Sequence, residues 1–452
     1  MRRKHLARVG LIVGIAALSL VGSSAAQPSR TFTVCPSGPP VCEYALIQDA
    51  LDASVDGDQI LVAAGTYSGE LMIRTSVTLL GAGAGQTIIN GGGPVVTVSP
   101  GTSVRVRGVT ITGGFWRSTT RNGGIRNDGT LTLEDIAVSG NTGNGAAGVG
   151  GIYSNGTLIL NRSAVDENTG DDAGGILNAG GVLTLNSSEI GYNHASGGAG
   201  IKNEGGALRV TDSTIRGNFA DNFSGGGIAN YDGTLALTRS AVTDNYSASE
   251  GGGLFTFGTA TITDSTLSGN SASYGGGIAT GGVLTVRRSA VHDNATCCGV
   301  IFGVDGGGIY NFGKAIVLDS TVEGNATLRG SGGGIFNDSF ATLTLRHTDV
   351  VGNTANSAPE FQFYGSGGGL YNAGTAELFQ ARIDANSAAG QGGGIDNVMG
   401  VLALKHSEVS ENTAYDQGGT GIFGGGINNT LGTLTLRHST VSGNSPDDCV
   451  GC

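Results

Sequence analysis

Aliphatic residues return along this chain at one fixed place in a unit of 24 to 35 residues. A pair of small residues followed by Ile or Leu sets that place at Ile125, Ile152, Ile176, Ile201, Ile228, Leu254, Ile278, Ile309, Ile335, Leu370, Ile395 and Ile427. Two residues later stands Asn in nine of the twelve units, with Ser154, Thr256 and Thr280 in the others. A short alternating segment follows, such as Leu131-Thr132-Leu133 or Leu434-Thr435-Leu436. Each unit then closes with an aliphatic residue three places before an Asn. The closing residues are Asn141, Asn168, Asn193, Asn218, Asn245, Asn270, Asn294, Asn325, Asn353, Asn386, Asn412 and Asn444.

Apolar alternation over three to five residues, bounded by Gly, Asn and Ser, predicts strands and is too short for helices. A unit of three short strands cannot bury its own apolar face, so it must stack on the next one. Three strands per rung predict an all-β parallel β-helix of roughly 14–16 rungs, about 70 Å long at the usual strand spacing. The Asn column then has a physical reason. Asn tolerates the left-handed bend expected where one strand turns into the next, and its amide can donate and accept along the stack.

Less regular segments complete the object. Residues 44–56 predict a short amphipathic helix, with Ala45, Ile47 and Leu51 on one side, covering the open N-terminal end of the stack. Residues 57–122 supply irregular rungs, 123–444 the twelve regular repeats and 445–452 a tail, all within a single domain, 27–452. Residues 1–26 read as a signal peptide. Arg2, Arg3, Lys4 and Arg8 precede an apolar run from Val9, and Ser24 and Ala26 suit cleavage after Ala26. That run falls short of the about 20 residues a membrane span needs, and no later stretch approaches it. The expected destination is therefore secretion or the cell surface.

Composition narrows the partners. Glycine is 84 of 452 residues, but it stays in register with the aliphatic positions, which marks a fold rather than a linker. The formal charge is −12, and losing the four basic residues of the leader takes it to −16. No basic patch is visible, so nucleic acid is excluded as a partner. The six cysteines fall in close pairs. In an exported chain Cys35 with Cys42 and Cys449 with Cys452 are disulfide candidates. Adjacent Cys297 and Cys298 would bond each other with strain, stay free, or link to another chain. No second pair or His stands near Cys449-x-x-Cys452 to complete a zinc site, and no cofactor or metal motif is present.

The block IQDALDASVDGDQILVAAGTY, then ITGG, then GGGIxN…TLTL…VSGN resembles the right-handed parallel β-helix proteins of the pectin-lyase-like superfamily. More narrowly it resembles exported bacterial repeat proteins related to chlamydial polymorphic outer-membrane proteins. The third small residue here is usually Gly, and their Phe position is Val, Ile or Leu. The resemblance spans about residues 44–444 and implies the fold. It also implies that polysaccharide lyases and hydrolases belong to the comparison. Their Gly-His-Gly element is absent, Arg-x-Lys is absent after the leader, and Asp171-Asp172 in a Gly-rich turn is the one Asp-Asp pair inside the repeats. His347, His406 and His438 occupy the places held elsewhere by Arg162, Arg239 and Arg288, which predicts an exposed corner column rather than a catalytic histidine. A flat Thr ladder at 132, 184, 261, 285, 344 and 435 is broken by Arg209, Ala236 and Glu377, against an ice-binding face.

Insertions carry the remaining signal. From closing Asn to the next Ile or Leu most units take 8 to 11 steps, but those ending at Ile309, Leu370 and Ile427 take 15, 17 and 15. All three leave at one junction on alternating rungs, and insertions on one face of a solenoid often form its binding face. They hold Phe302 and Asp305; Glu360, Phe361, Phe363 and Tyr364; and Tyr415, Asp416 and Phe423, with Trp116 at the same junction earlier. These residues form a candidate ligand-binding rim for an extended glycan, with no catalytic residue assigned. The sequence thus predicts an exported binding, adhesin-like or structural protein. The alternative is a polysaccharide lyase or glycoside hydrolase with a divergent site.

Overall fold

The computed structural model describes residues 28–115, 123–145, 147–297, 304–357, 364–415 and 424–452. A regular rung runs Ile125–Asn127, Thr130–Glu134, Ala137–Ser139 and Thr142–Gly143. We number the sheets built from these strands 1 to 4 in that order; among the described residues they hold 15, 16, 15 and 11 strands. Successive strands pair parallel and in register, Leu131 beside Leu158 beside Leu183. The fold is the expected right-handed parallel β-helix. Three sheets were foreseen. The fourth consists mostly of two-residue strands, too short to show alternation.

The core lies inside the coil. Ile125, Leu131, Leu133 and Val138 are each at most 1% exposed, and their equivalents continue the same four buried columns up to the last rung, where Leu436 is exposed and Leu434 and Val441 are half-buried. At about 1.5–3 kcal/mol for each fully buried aliphatic side chain, these columns hold the rungs together.

Two corners explain the polar columns. Between sheets 2 and 3 a single residue takes a left-handed φ of 46–52°: Asp135, Arg162, Ser187, Asp212, Arg239, Asp264, Arg288, Asp319, His347, Gln380, His406 and His438. The next residue points inward and is usually Ser, and a second ladder runs there: Ser213 donates its backbone N–H to Ser240 Oγ at 3.1 Å. Before each closing Asn another left-handed residue appears, from Ala385 at 52° to Gly443 at 72°. The bend assigned to Asn therefore belongs to the residue preceding it. Asn itself is free to face inward, where Asn168 donates Nδ2–H to Asn193 Oδ1 at 3.1 Å and to Val138 O at 2.9 Å. All twelve closing Asn residues stand in this one ladder.

Both ends carry disulfide-clipped caps. Strand Thr31–Val34, not anticipated, pairs with Gln59–Val62, and the Cys35–Cys42 disulfide follows it. Helix α1, Ile47–Ala53, buries Ile47, Ala50 and Leu51 over this end, an i, i+3, i+4 stripe. Ala45 precedes the helix and is exposed, so it is not part of that stripe. At the other end Cys449–Val450 pairs with Ile427–Asn428, and a disulfide joins Cys449 to Cys452. Asp448 Oδ1 accepts both N–H groups of Asn444, at 2.9 and 3.1 Å. Cys297 is also disulfide-bonded, so it is not a free thiol; Cys298 lies outside the described residues. Residues 1–27, which hold the expected signal peptide, lie outside as well.

Candidate ligand-binding face

On a sheet 1 strand the first and third residues point inward, so the middle one points out. This outward column reads Arg126, Tyr153, Leu177, Lys202, Ala229, Phe255, Ala279, Tyr310, Phe336, Tyr371, Asp396 and Asn428, each beside the next by register. In its first half the cations are neutralised locally. Arg126 forks onto Asp128 at 2.6 and 3.0 Å, and Lys202 reaches Asp172 at 2.6 Å and Glu204 at 2.7 Å.

In the second half rings stack along the axis. Tyr310 and Phe336 lie 5.3 Å apart at 26°, and Phe336 and Tyr371 lie 4.7 Å apart at 9°. Tyr274 and Phe312 flank Tyr310, each at 5.4 Å. Carboxylates sit against this column. Asp396, one rung beyond Tyr371, is 2% exposed and accepts Asn428 Nδ2–H at 2.7 Å. Burial pushes its carboxyl up to about 6, against the opposing pull of Asn428 and Ser366. Asp305 is half-buried and accepts the Ser331 N–H at 2.7 Å. Burial again pushes its carboxyl up to about 6, with Ser331 opposing and Asp338 adding repulsion. The Tyr371 phenol is pushed up to about 12 by burial, with Asp396, Asp305 and Asp338 adding to it. Tyr310 moves the same way for the same main reason. Both phenols therefore remain protonated donors at neutral pH.

Because the rings cover one another's faces, the column offers edges and phenol hydroxyls rather than open stacking platforms. Phenol hydroxyls and apolar ring edges are partly exposed over the three rungs of Tyr310, Phe336 and Tyr371, with half-buried Asp305 beside them as an acceptor, a surface suited to a polyhydroxylated ligand.

Of the ten rim residues read from the sequence, Asp305, Tyr364 and Tyr415 are described; Trp116, Phe302, Glu360, Phe361, Phe363, Asp416 and Phe423 lie outside the described residues. Asp305 acts on the aromatic column through both phenols. Tyr415 is 63% exposed, and its N–H bonds Ala388 O at 3.0 Å. Tyr364 is half-buried. The three long connections do enter sheet 1 at Ile309, Leu370 and Ile427, with the Ile335 and Ile395 rungs between them.

Sequence reasoning missed Tyr310, Phe336, Tyr371 and Asp396. It followed the inward Ile and Asn and left the residue between them unread, although Ile-Tyr-Asn, Ile-Phe-Asn and Leu-Tyr-Asn stand in consecutive rungs. Asp171 and Asp172 do not act as a pair. Asp172 holds Lys202, and Asp171 accepts the Gly145 N–H. His347, His406 and His438 fall in the sheet 2–3 corner column with Arg162, Arg239 and Arg288, as the spacing predicted. Among the described residues no three His, Cys, Asp or Glu side chains are placed to hold a metal, and no helix is long and apolar enough to cross a membrane.

These sheets and ladders define the class, a right-handed parallel β-helix with an internal Asn column. No protein-family model and no curated protein matches the chain. Among solved structures, pectin methylesterase PemA from Erwinia chrysanthemi matches over 62% of this chain and 92% of its own, at 10% identity and TM-score 0.35. Pectate lyase Pel9A matches over 93% and 80%, at 14% identity and TM-score 0.27. The catalytic unit of a thermostable GH87 α-1,3-glucanase from Streptomyces thermodiastaticus strain HF3-3 matches over 87% and 65%, at 13% identity and TM-score 0.33. At these values the likeness carries no argument about this chain.

Proposed function

We propose that this chain is an exported extracellular protein that binds an extended glycan along the outer face of sheet 1 and the rim beside it. The observation that carries the reading is the stacked column Tyr310, Phe336, Tyr371, which runs on to the buried Asp396 with Asp305 alongside. A ligand spanning the three ring-bearing rungs must be long, and its hydroxyls would meet the phenol donors and the half-buried carboxylate of Asp305 together. The leader-like residues 1–26 and the clipped caps support an extracellular setting. Calorimetry with oligosaccharides of increasing length tests the reading. Affinity should rise with length and fall at least tenfold in Tyr371→Ala; length-independent binding, or binding that Tyr371→Ala leaves unchanged, sinks it.

A second reading, a polysaccharide-degrading enzyme, is favoured by one specific observation. Asp305 is half-buried beside the Tyr310 and Tyr371 rings, and burial pushes its carboxyl up to about 6, the range in which a general acid works near neutral pH. Incubation with pectic and glucan polymers, followed by assay of unsaturated and reducing ends, decides it: new ends that vanish in Asp305→Asn establish turnover at this face.

A further inference from the structure

The corner between sheets 2 and 3 carries a recess that nothing above employs. Each regular rung crosses this corner through one left-handed residue, and the first sheet 3 residue after it is small at Ala137 and Ala164. An earlier rung crosses more slowly, through residues between the strands Thr78–Gly81 and Thr87–Asn90, and forms a wall. Between that wall and the tight corners lies a groove of about 1020 Å³, floored by Ala137 and Ala164 and edged by Asp135, Arg162, Ser187 and Asp212. Shallower recesses continue it past Asp264, Arg288 and Asp319.

Its electrostatics limit what fits. Asp135 receives Arg107 at 3.1 Å and Arg162 at 2.8 Å, Glu189 receives Arg216 at 2.7 Å, and Asp212 receives Arg239 at 2.8 Å. Every carboxylate edging the groove thus already faces a guanidinium, four guanidinium groups to three carboxylates, so no free carboxylate is left to hold a cation. What remains are guanidinium N–H groups and carboxylate lone pairs side by side, repeated at about the 4.8 Å strand spacing. Hydroxyl groups, which donate and accept at once, match that alternation, and the alanine floor matches the C–H face of a sugar ring. We infer that this groove is a second glycan site, which takes a neutral oligosaccharide lying along the coil axis.

Glycan binding in general is the reading already proposed, but the surface is different, so the two can fail separately. Calorimetry on the full chain uses cellohexaose, laminarihexaose and xylohexaose, with a galacturonate hexamer as the charged control. In Tyr371→Ala, which disables the aromatic face, at least one neutral hexamer should still bind, and adding Ala164→Trp should weaken that binding at least tenfold. Ala164 points outward and makes none of these ion pairs, so the indole fills the groove; melting curves check folding, and Ala137→Trp serves if Ala164→Trp does not fold. Loss of all binding in Tyr371→Ala alone overturns the groove and keeps the aromatic face. Binding that survives both fillings, or that is confined to the galacturonate hexamer, overturns the groove as well. Full binding in Tyr371→Ala that Ala164→Trp abolishes supports the groove and removes the aromatic face.

Discussion

Asn270 gives both its backbone N–H and its Nδ2–H to a single atom, Oδ1 of Asn294, at 3.0 and 2.9 Å. It also bonds Val242 O at 2.9 Å and accepts the same pair of bonds from Asn245. One buried amide therefore ties three rungs together.

Replacing Asn270 with Ala strands donors of Asn245 and leaves Val242 O and Asn294 Oδ1 short of partners in a dry interior. A loss of about 3 kcal/mol is expected. Asp171→Ala removes one exposed acceptor and should cost less than about 1 kcal/mol. Denaturant midpoints compare them, and equal costs would mean that the ladder does not hold the rungs.

The left-handed corner gives a reciprocal pair. Ala385 has φ 52° where its neighbour one rung earlier, Gly352, has φ 62° and open space where a Cβ would go. Ala385→Gly should stabilise by about 0.5–1 kcal/mol and Gly352→Ala destabilise by a similar amount, since left-handed backbone costs an L-residue roughly 1–2 kcal/mol before the unfolded-chain offset. Thermal melts of the two variants should move in opposite directions.

Asp396 gives a pH signature. Its folded carboxyl sits at about 6 against an ordinary 3.8, so the folded state holds the proton more tightly. This group therefore favours folding most below the ordinary value. Stability falls as pH rises between about 4 and 6, with the full cost, roughly 3 kcal/mol, reached above that window. Asp305 has the same sign. In Asp396→Asn the decline should shrink, and the variant should be the more stable protein at pH 7. Denaturation curves at pH 4 and pH 7 check both points.

Trimming residues 357–364 to an ordinary turn, which spares the sheet 4 strand Thr354–Ala355 and its buried Ala355, should weaken binding of long oligosaccharides and leave the melting temperature nearly unchanged. If the trimmed chain melts early instead, the aromatics of that connection are packing, and the rim is structural.

Much of the fold was legible because its inward columns repeat in residue identity. Ile125 and Asn141 announce their columns by recurring as Ile and Asn. The Ser ladder went unread although its residues also recur, because no strand pattern pointed to a corner there. The left-handed column was hidden for a different reason: Asp, Arg, Ser, Gln and His all occupy it, and backbone geometry alone unites them. The fourth sheet gives only Thr142 and Gly143 per rung, too little for alternation to register. The candidate face was missed because its residues vary by design of position: an outward side chain is free to change from Ala279 to Tyr310 between neighbouring rungs.

The Asn column also has a direction. Every amide points Oδ1 toward the preceding rung, from Asn141, whose Oδ1 accepts the Gly114 N–H at 2.9 Å, to Asn444, while Nδ2 gives one hydrogen to the acceptor that follows and the other to a carbonyl of the preceding rung. Twelve aligned side-chain dipoles add along the axis as peptide dipoles do in a helix, with the positive end at Asn444. There the acceptor is not another amide but the carboxylate of Asp448, a full negative charge at the positive pole. The solenoid is thus polarised along its length, and the tail that closes it is held by that field as well as by its hydrogen bonds.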